Sequence, residues 1–259
     1  MALYLRISEH DFCIAKYELR ETPDFQFARH HLRPQASFVT NLREAQENQP
    51  LLQSHKGTLH VIVCGPTTLV PLAEFQEEDC NAIYQHCFPS AGKVNVFYDT
   101  IPAANAVLLF ALDEMICNKL RETFDDVHFV SVQTAVLKHF SNKGASQPGK
   151  RIFMYQREGG IDIAVFEENR LLLSNHYPTR TIADQAYYVF NVARNFGIDI
   201  EETPIYVAGP AMDKAQAVDE LRQFSTQVFA IHPTSEFNRH IVTLDENVPY
   251  DIQTLLIND

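Results

Sequence analysis

Two stretches of this chain repeat one another at a fixed distance, and that repeat limits the folds open to it. Ser37 stands 28 residues before Gly65, and Thr181 stands 28 residues before Gly209. Each interval starts at a residue whose side-chain oxygen can cap a helix. Each ends on a short apolar run closed by Gly-Pro, one spanning His60 to Pro66 and the other Pro204 to Pro210. A short apolar run between turn residues reads as a strand buried on both faces, the pattern of a parallel sheet.

The residues before each cap agree with this. In the first half, Leu3, Leu5 and Ile7 alternate, then Phe12, Ile14, Ala15 and Tyr17, then Phe25 and Phe27 after a Pro23-Asp24 turn. In the second, Arg151 to Tyr155, Ile161 to Phe166 and Arg170 to Asn175 read as strands, with Glu167-Glu168-Asn169 turning between the last two. Behind Ser37, Phe38, Leu42 and Ala45 keep helical spacing, and Pro50 limits that helix. Behind Thr181 the apolar stripe runs Ile182, Ala186, Val189, Ala193 and Phe196, with Gly197 where a left-handed residue ends a helix. Each half is therefore a set of antiparallel strands, a helix and a parallel strand. The class is α/β.

Between the repeats, Ala73 to Cys87 reads as helical and Lys93 to Thr100 as a strand. Ala106 to Leu112 is a short apolar run, and Asp113 caps a helix carrying Met115, Ile116, Leu120 and Phe124. Val127 to Val132 returns as a strand. The division expected is a first domain over 1–140 with an inserted segment 67–105, a linker over 141–149, and a second domain over 150–259.

The charge balance excludes some partners. The 259 residues carry a net charge of -12, which argues against a nucleic-acid backbone, since that needs clustered Lys and Arg. Charges at Arg6 and Glu9 leave no room for an apolar signal core, and no stretch has the ~20 apolar residues of a membrane span. The five cysteines show no CxxC and read as buried free thiols of a reducing cytosol, so a cytoplasmic location is expected.

A strand hairpin set, a helix and a parallel strand, duplicated, resemble paired ribonuclease-H-like units of the actin and sugar-kinase superfamily. The order is similar to that of the type IV pilus protein PilM and its bacterial actin-like relatives. It also resembles a family of uncharacterised bacterial proteins with an actin-like ATPase fold, whose membership would bring a fold and no assigned activity. The stretch from Ala106 to Val136 looks like the segment that closes the first domain in these proteins. Gly159-Gly160-Ile161-Asp162-Ile163-Ala164 resembles their second phosphate loop, and Tyr206-Val207-Ala208-Gly209-Pro210 their adenosine-loop strand.

The resemblance implies an Asp at the start of each phosphate loop and small, Gly-rich backbone beside it, so that amide N–H groups can approach phosphate. This chain departs from both. The expected Asp falls on Tyr155, and the following glycines on Arg157 and Glu158. The first-half loop, Ser8-Glu9-His10-Asp11, has no glycine, and a Cβ at each position blocks close approach. Both adenosine loops read Gly-Pro, which removes a donor. The candidate nucleotide-binding residues are Asp11, Asp99, Gly159, Gly160, Asp162 and Gly209. Each has a plainer reading: Gly159-Gly160 as a strand turn, Asp11 and Asp99 as Asx-type turns, Asp162 as a polar residue facing solvent or a crevice.

No catalytic residue and no metal site are expected; His30, His31, Cys80, His86 and Cys87 lack zinc-ligand spacing. No cofactor is expected. The function expected is a binding or assembly module with degenerate phosphate loops and a protein partner or a second copy as its occupant. The alternative is an ATPase that takes ATP and Mg²⁺ through atypical ligands. A ribonuclease-H-like nuclease is disfavoured by the charge.

Overall fold

The computed structural model describes residues 2–18, 24–53, 55, 57–143 and 148–258. Pro23 of the expected first turn and 144–147 of the expected linker lie outside these. The chain divides into two compact units, Met1–Val70 with Glu74–Thr100 and Val107–Thr134, and Pro71–Ala73 with Ile101–Ala106 and Ala135–Asp259.

In the first unit, alternation builds β1 (Ala2–Ile7), β2 (Asp11–Glu18) and β3 (Asp24–His31), all antiparallel. Ser37 Oγ accepts from Thr40 N–H at 3.2 Å and starts α1 (Phe38–Asn48), which a short α2 (Pro50–Gln53) follows. Next, β4 (Thr58–Val63) pairs parallel to β1. One face of this sheet buries Leu3, Leu5, Phe12, Ile14, Leu59 and Val61 against Leu42 and Ala45 of α1. Each such side chain contributes about 1.5–3 kcal/mol through the water it excludes.

Three further strands follow: β5 (Thr67–Pro71), then α3 (Cys80–Cys87), β6 (Val94–Ile101) and β7 (Ala106–Asp113), in sheet order β5-β7-β6. The central strand β7 explains its own continuous apolar run. Val107, Leu109 and Ala111 pack on Val70, Cys80 and Tyr84, while Phe110 belongs to the main core. The helix expected over Ala73 to Cys87 is confined to α3; Leu72–Glu74 and Glu77–Asp79 are 3₁₀ turns. Asp113 Oδ1 accepts from Met115 N–H at 2.8 Å and Ile116 N–H at 3.2 Å, starting α4 (Glu114–Thr123). The unit's five-stranded sheet closes on β8 (Asp126–Ser131), in order β3-β2-β1-β4-β8. The chain goes on into α5 (Val132–Asn142).

The second unit repeats the order. Its strands β9 (Lys150–Arg157), β10 (Gly160–Glu167) and β11 (Arg170–Pro178) are antiparallel. Thr181 and Asp184 form a reciprocal capping box on α6 (Ile182–Asn195). Gly197 takes φ +58° just past that helix, which a left-handed C′ residue requires. Then come β12 (Ile205–Ala208), α7 (Ala211–Leu221) and β13 (Val228–Ala230), giving the sheet β11-β10-β9-β12-β13. In both five-stranded sheets the second-last strand is parallel to the first strand of its hairpin.

One face of the second sheet, with Ile152, Met154, Ile163, Val165 and Val207, packs on α6 and α7. The opposite face is aromatic. Phe153 stacks on Phe140 of α5 and on Tyr206, and Tyr206 stacks on Phe229. The chain ends in α8 (Pro233–Glu236) and α9 (Tyr250–Asn258), whose residues Tyr250 to Leu256 are all buried. Cys13, Cys80 and Cys117 are buried, as the sequence implies, yet Cys87 is exposed and Cys64 half-buried. No helix among the described residues is long and apolar enough to cross a membrane.

Candidate functional site

The C-terminal end of β9 gathers the candidates of the second unit. Arg157 pairs with Gly160 across a two-residue turn, Glu158-Gly159. Gly159 has φ +81°, the conformation that favours glycine, and a Cβ there would meet nothing. Gly160 is required for a different reason: an added Cβ would collide with the Tyr177 carbonyl oxygen. The pair therefore makes a hairpin turn that closes against β11.

Asp162 lies two residues along β10, directly opposite Tyr155 on one side and His176 on the other. It is an anchored residue. Arg157 donates to it twice, Nε to Oδ2 at 2.6 Å and Nη2 to Oδ1 at 3.1 Å. His176 Nδ1 lies 2.8 Å from the same Oδ1. Burial would push the Asp162 carboxyl up. The His176 hydrogen bond and the Arg157 guanidinium outweigh it and hold the carboxyl below the usual range.

Between Tyr155 and Arg157 sits Gln156, on the other face of β9. It reaches Gly209, the last of these candidates. Gly209 has φ +145°, and an added Cβ would lie 2.6 Å from Gln156 Cβ. Gln156 Nε2 donates to Gln185 Oε1 at 2.8 Å and to the Asp213 carbonyl at 3.1 Å. Its Oε1 is buried without a hydrogen-bond partner. Tyr155, at the position where the resemblance calls for a carboxylate, donates its hydroxyl to Asp251 Oδ2 at 2.7 Å. Asp251 arrives on α9 and has no solvent exposure.

Asp11 and Asp99 belong to the first unit. Asp11 is buried at the start of β2, where Oδ1 accepts from Ser8 Oγ at 2.8 Å. Arg29 Nε lies 3.5 Å from Oδ2 and Arg6 Nη1 4.0 Å from Oδ1. Ser8 also bonds the Asp11 N–H at 3.1 Å, so the loop is closed by its own side chains. Asp99 sits within β6 and makes no local turn. Its Oδ2 accepts from Ser131 N–H at 2.9 Å and Thr134 Oγ1 at 2.5 Å, fastening the β8–α5 junction.

A second polar cluster escapes the sequence reading. Glu236 Oε1 lies 2.8 Å from His139 Nε2 and 2.7 Å from Lys143 Nζ. His139 lies in the last turn of α5 and Lys143 just past its end, and Glu236 Oε2 and the Tyr250 hydroxyl are buried without partners. Burial pushes the Glu236 carboxyl up, and the two donors more than reverse it, leaving it below the usual range. Among the described residues no group of three or more His, Cys, Asp and Glu side chains could hold a metal ion.

A family model described as "Protein of unknown function (DUF3822)" matches residues 1–228. A Bacteroides thetaiotaomicron protein with an actin-like ATPase fold and unknown function matches with TM-score 0.83 and 24% identity, over 98% of this chain and 95% of that one. The type IV pilus biogenesis complex PilM–PilN contains a chain that matches with TM-score 0.61 and 11% identity, over 99% of this chain and 96% of that one. These likenesses establish an actin-like ATPase fold. No curated protein matches the chain.

Proposed function

The chain belongs to the DUF3822 family of proteins of unknown function, and from that premise we propose that it is a binding or assembly module on an actin-like frame whose phosphate loops no longer serve ATP turnover. The observation that carries this reading is Arg157. A glycine is expected there by resemblance, and instead a guanidinium folds down onto Asp162 with both carboxylate oxygens engaged. A carboxylate so neutralised is a poor magnesium ligand. The first-unit loop supports the same reading, because Asp11 is engaged by Ser8, Arg6 and Arg29.

A protein partner is the occupant we favour. The PilM chain, similar in fold, is found in a complex with PilN. ATP hydrolysis by the purified chain with Mg²⁺ tests the proposal. Release of phosphate at the background rate is expected; turnover well above it, abolished by Asp162→Asn, would overturn it.

One observation favours the second reading, a nucleotide bound through atypical ligands. Gln156 Oε1 is a buried acceptor without a partner, beside Gly209 and the first turn of α7. A ligand amino or hydroxyl group could donate to it. Calorimetric titration with ATP and ADP separates the readings: heat at millimolar nucleotide, lost in Gln156→Leu, would favour the second.

A further inference from the structure

Asp162 and His176 face each other across the β10–β11 pair, and their geometry sets the chemistry of the imidazole. Nδ1 lies 2.8 Å from Asp162 Oδ1. A carboxylate accepts hydrogen bonds, so Nδ1 carries the ring proton and Nε2 holds the lone pair of the neutral ring. Among the described residues Nε2 has no hydrogen-bond partner, and the His176 side chain is 25% exposed, so solutes can reach it. Asp162 is fixed in turn by Arg157, whose Nη2 is 3.1 Å from the same Oδ1. A guanidinium and an imidazole thus meet on one carboxylate oxygen, in a chain whose net charge is otherwise -12.

This arrangement suits attack on an anionic electrophile. When the lone pair of Nε2 forms a bond, the ring becomes an imidazolium and its positive charge needs a neighbouring anion. Asp162 supplies that anion at hydrogen-bond distance, as an aspartate does for the histidine of a hydrolytic triad. The Arg157 charge lowers the cost of bringing a phosphoryl group close. Burial makes Asp162 costly as an anion, and His176 and Arg157 reverse that cost, so it stays ionised to receive the ring charge.

We propose that His176 Nε2 is a phosphoryl-acceptor site for small activated donors of the acyl-phosphate or phosphoramidate class. In the step with an acyl phosphate, the Nε2 lone pair forms the N–P bond. The bond from phosphorus to the bridging oxygen breaks, and the carboxylate leaves with its electron pair. No proton leaves the ring, because Nε2 carries none. Nδ1–H remains bonded to Asp162. Asp162 and Arg157 are positioning residues here, and His176 is the acceptor.

The test uses the intact chain with acetyl phosphate or phosphoramidate, read by ³¹P NMR and peptide mass spectrometry. An acid-labile, alkali-stable phosphate is expected on His176, forming at least about tenfold faster than on the other histidines. His128 is the internal comparison: it is more exposed, and its Nε2 is itself 3.1 Å from Asp126 Oδ1. Asp162→Asn should reduce labelling of His176 to the rate of the others and leave His128 unchanged. Labelling of His176 in the wild-type chain no faster than that of His128 overturns the proposal, and this comparison needs no variant to fold.

Discussion

The Tyr155 hydroxyl donates to Asp251 Oδ2 at 2.7 Å, joining the first strand of the second unit's sheet to the last helix of the chain. The carboxylate has no solvent exposure. Tyr155→Phe removes the donor and leaves that oxygen short of a bond in a place water does not reach. The expected loss is about 1–3 kcal/mol of stability. Urea unfolding should show a lower midpoint with an unchanged slope. An unchanged midpoint would mean that Asp251 is satisfied without Tyr155.

Glycines near the second hairpin should differ in a stated order. Gly160→Ala drives a Cβ into the Tyr177 carbonyl, which sits in the β11 backbone and cannot swing aside; about 3 kcal/mol or more is expected. Gly209→Ala meets Gln156 Cβ at 2.6 Å and Oε1 at 2.8 Å. The amide can shift but the Cβ cannot, so about 1–3 kcal/mol is expected. Gly159→Ala has open space and bears only the left-handed backbone, about 1 kcal/mol. Thermal melts of the three variants check the ranking, and a Gly159 variant as damaged as Gly160 would contradict it.

These glycines also mark where the sequence stopped being informative. Their clustering could be read as a phosphate cradle or a turn, because composition is the same for both. Only the approach of β11 decides what Gly160 is for. The duplicated sheet order was legible, since period-two alternation and the Gly-Pro ends follow from burial. The run over Ala106 to Leu112 was legible as short and apolar, but not which groups pack on its two faces as β7. His176 was hidden by a register shift. Counting back from the Glu168-Asn169 turn places Asn175 opposite Asp162. The irregularity between Val165 and Phe166 moves the pairing by one residue and brings His176 there. Asp99 was misread as a turn residue because its partners, Ser131 and Thr134, are more than 30 positions away. Glu236 was missed for the same reason: its donors His139 and Lys143 are distant in sequence.

Glu236 links α8 to His139 of α5 and to Lys143 just past that helix through a single oxygen. Glu236→Gln keeps the shape and removes the charge that both donors face. Lys143 is partly exposed and recovers some hydration, so the expected loss is about 1–3 kcal/mol. The damage should concentrate at the chain's C-terminal segment. Hydrogen exchange of α9, whose Tyr250 feels the Glu236 charge, should quicken more than that of α6. Equal acceleration in both helices would show that the link stabilises the unit as a whole.

Acid should act through two of the depressed carboxylates, Asp162 and Glu236. Burial opposes the charge on Asp162 and on Glu236, and their cationic neighbours overcome it in both. The folded chain thus keeps these charges to lower pH than the unfolded chain does. Their stabilisation is complete above the ordinary carboxylate values, about 3.9 for Asp and 4.3 for Glu, and is lost as pH falls from there through the depressed folded values. Stability measured by denaturant titration should decline below about pH 4.5 in the wild type. Asp162→Asn and Glu236→Gln should each lower stability at pH 7 and flatten the decline, and the double variant should flatten it further. Arg157 and His176 hold one carboxylate and His139 and Lys143 the other, so their effects should add. A double variant that declines as steeply as the wild type would place the acid sensitivity in other carboxylates, the α6 capping residue Asp184 first among them.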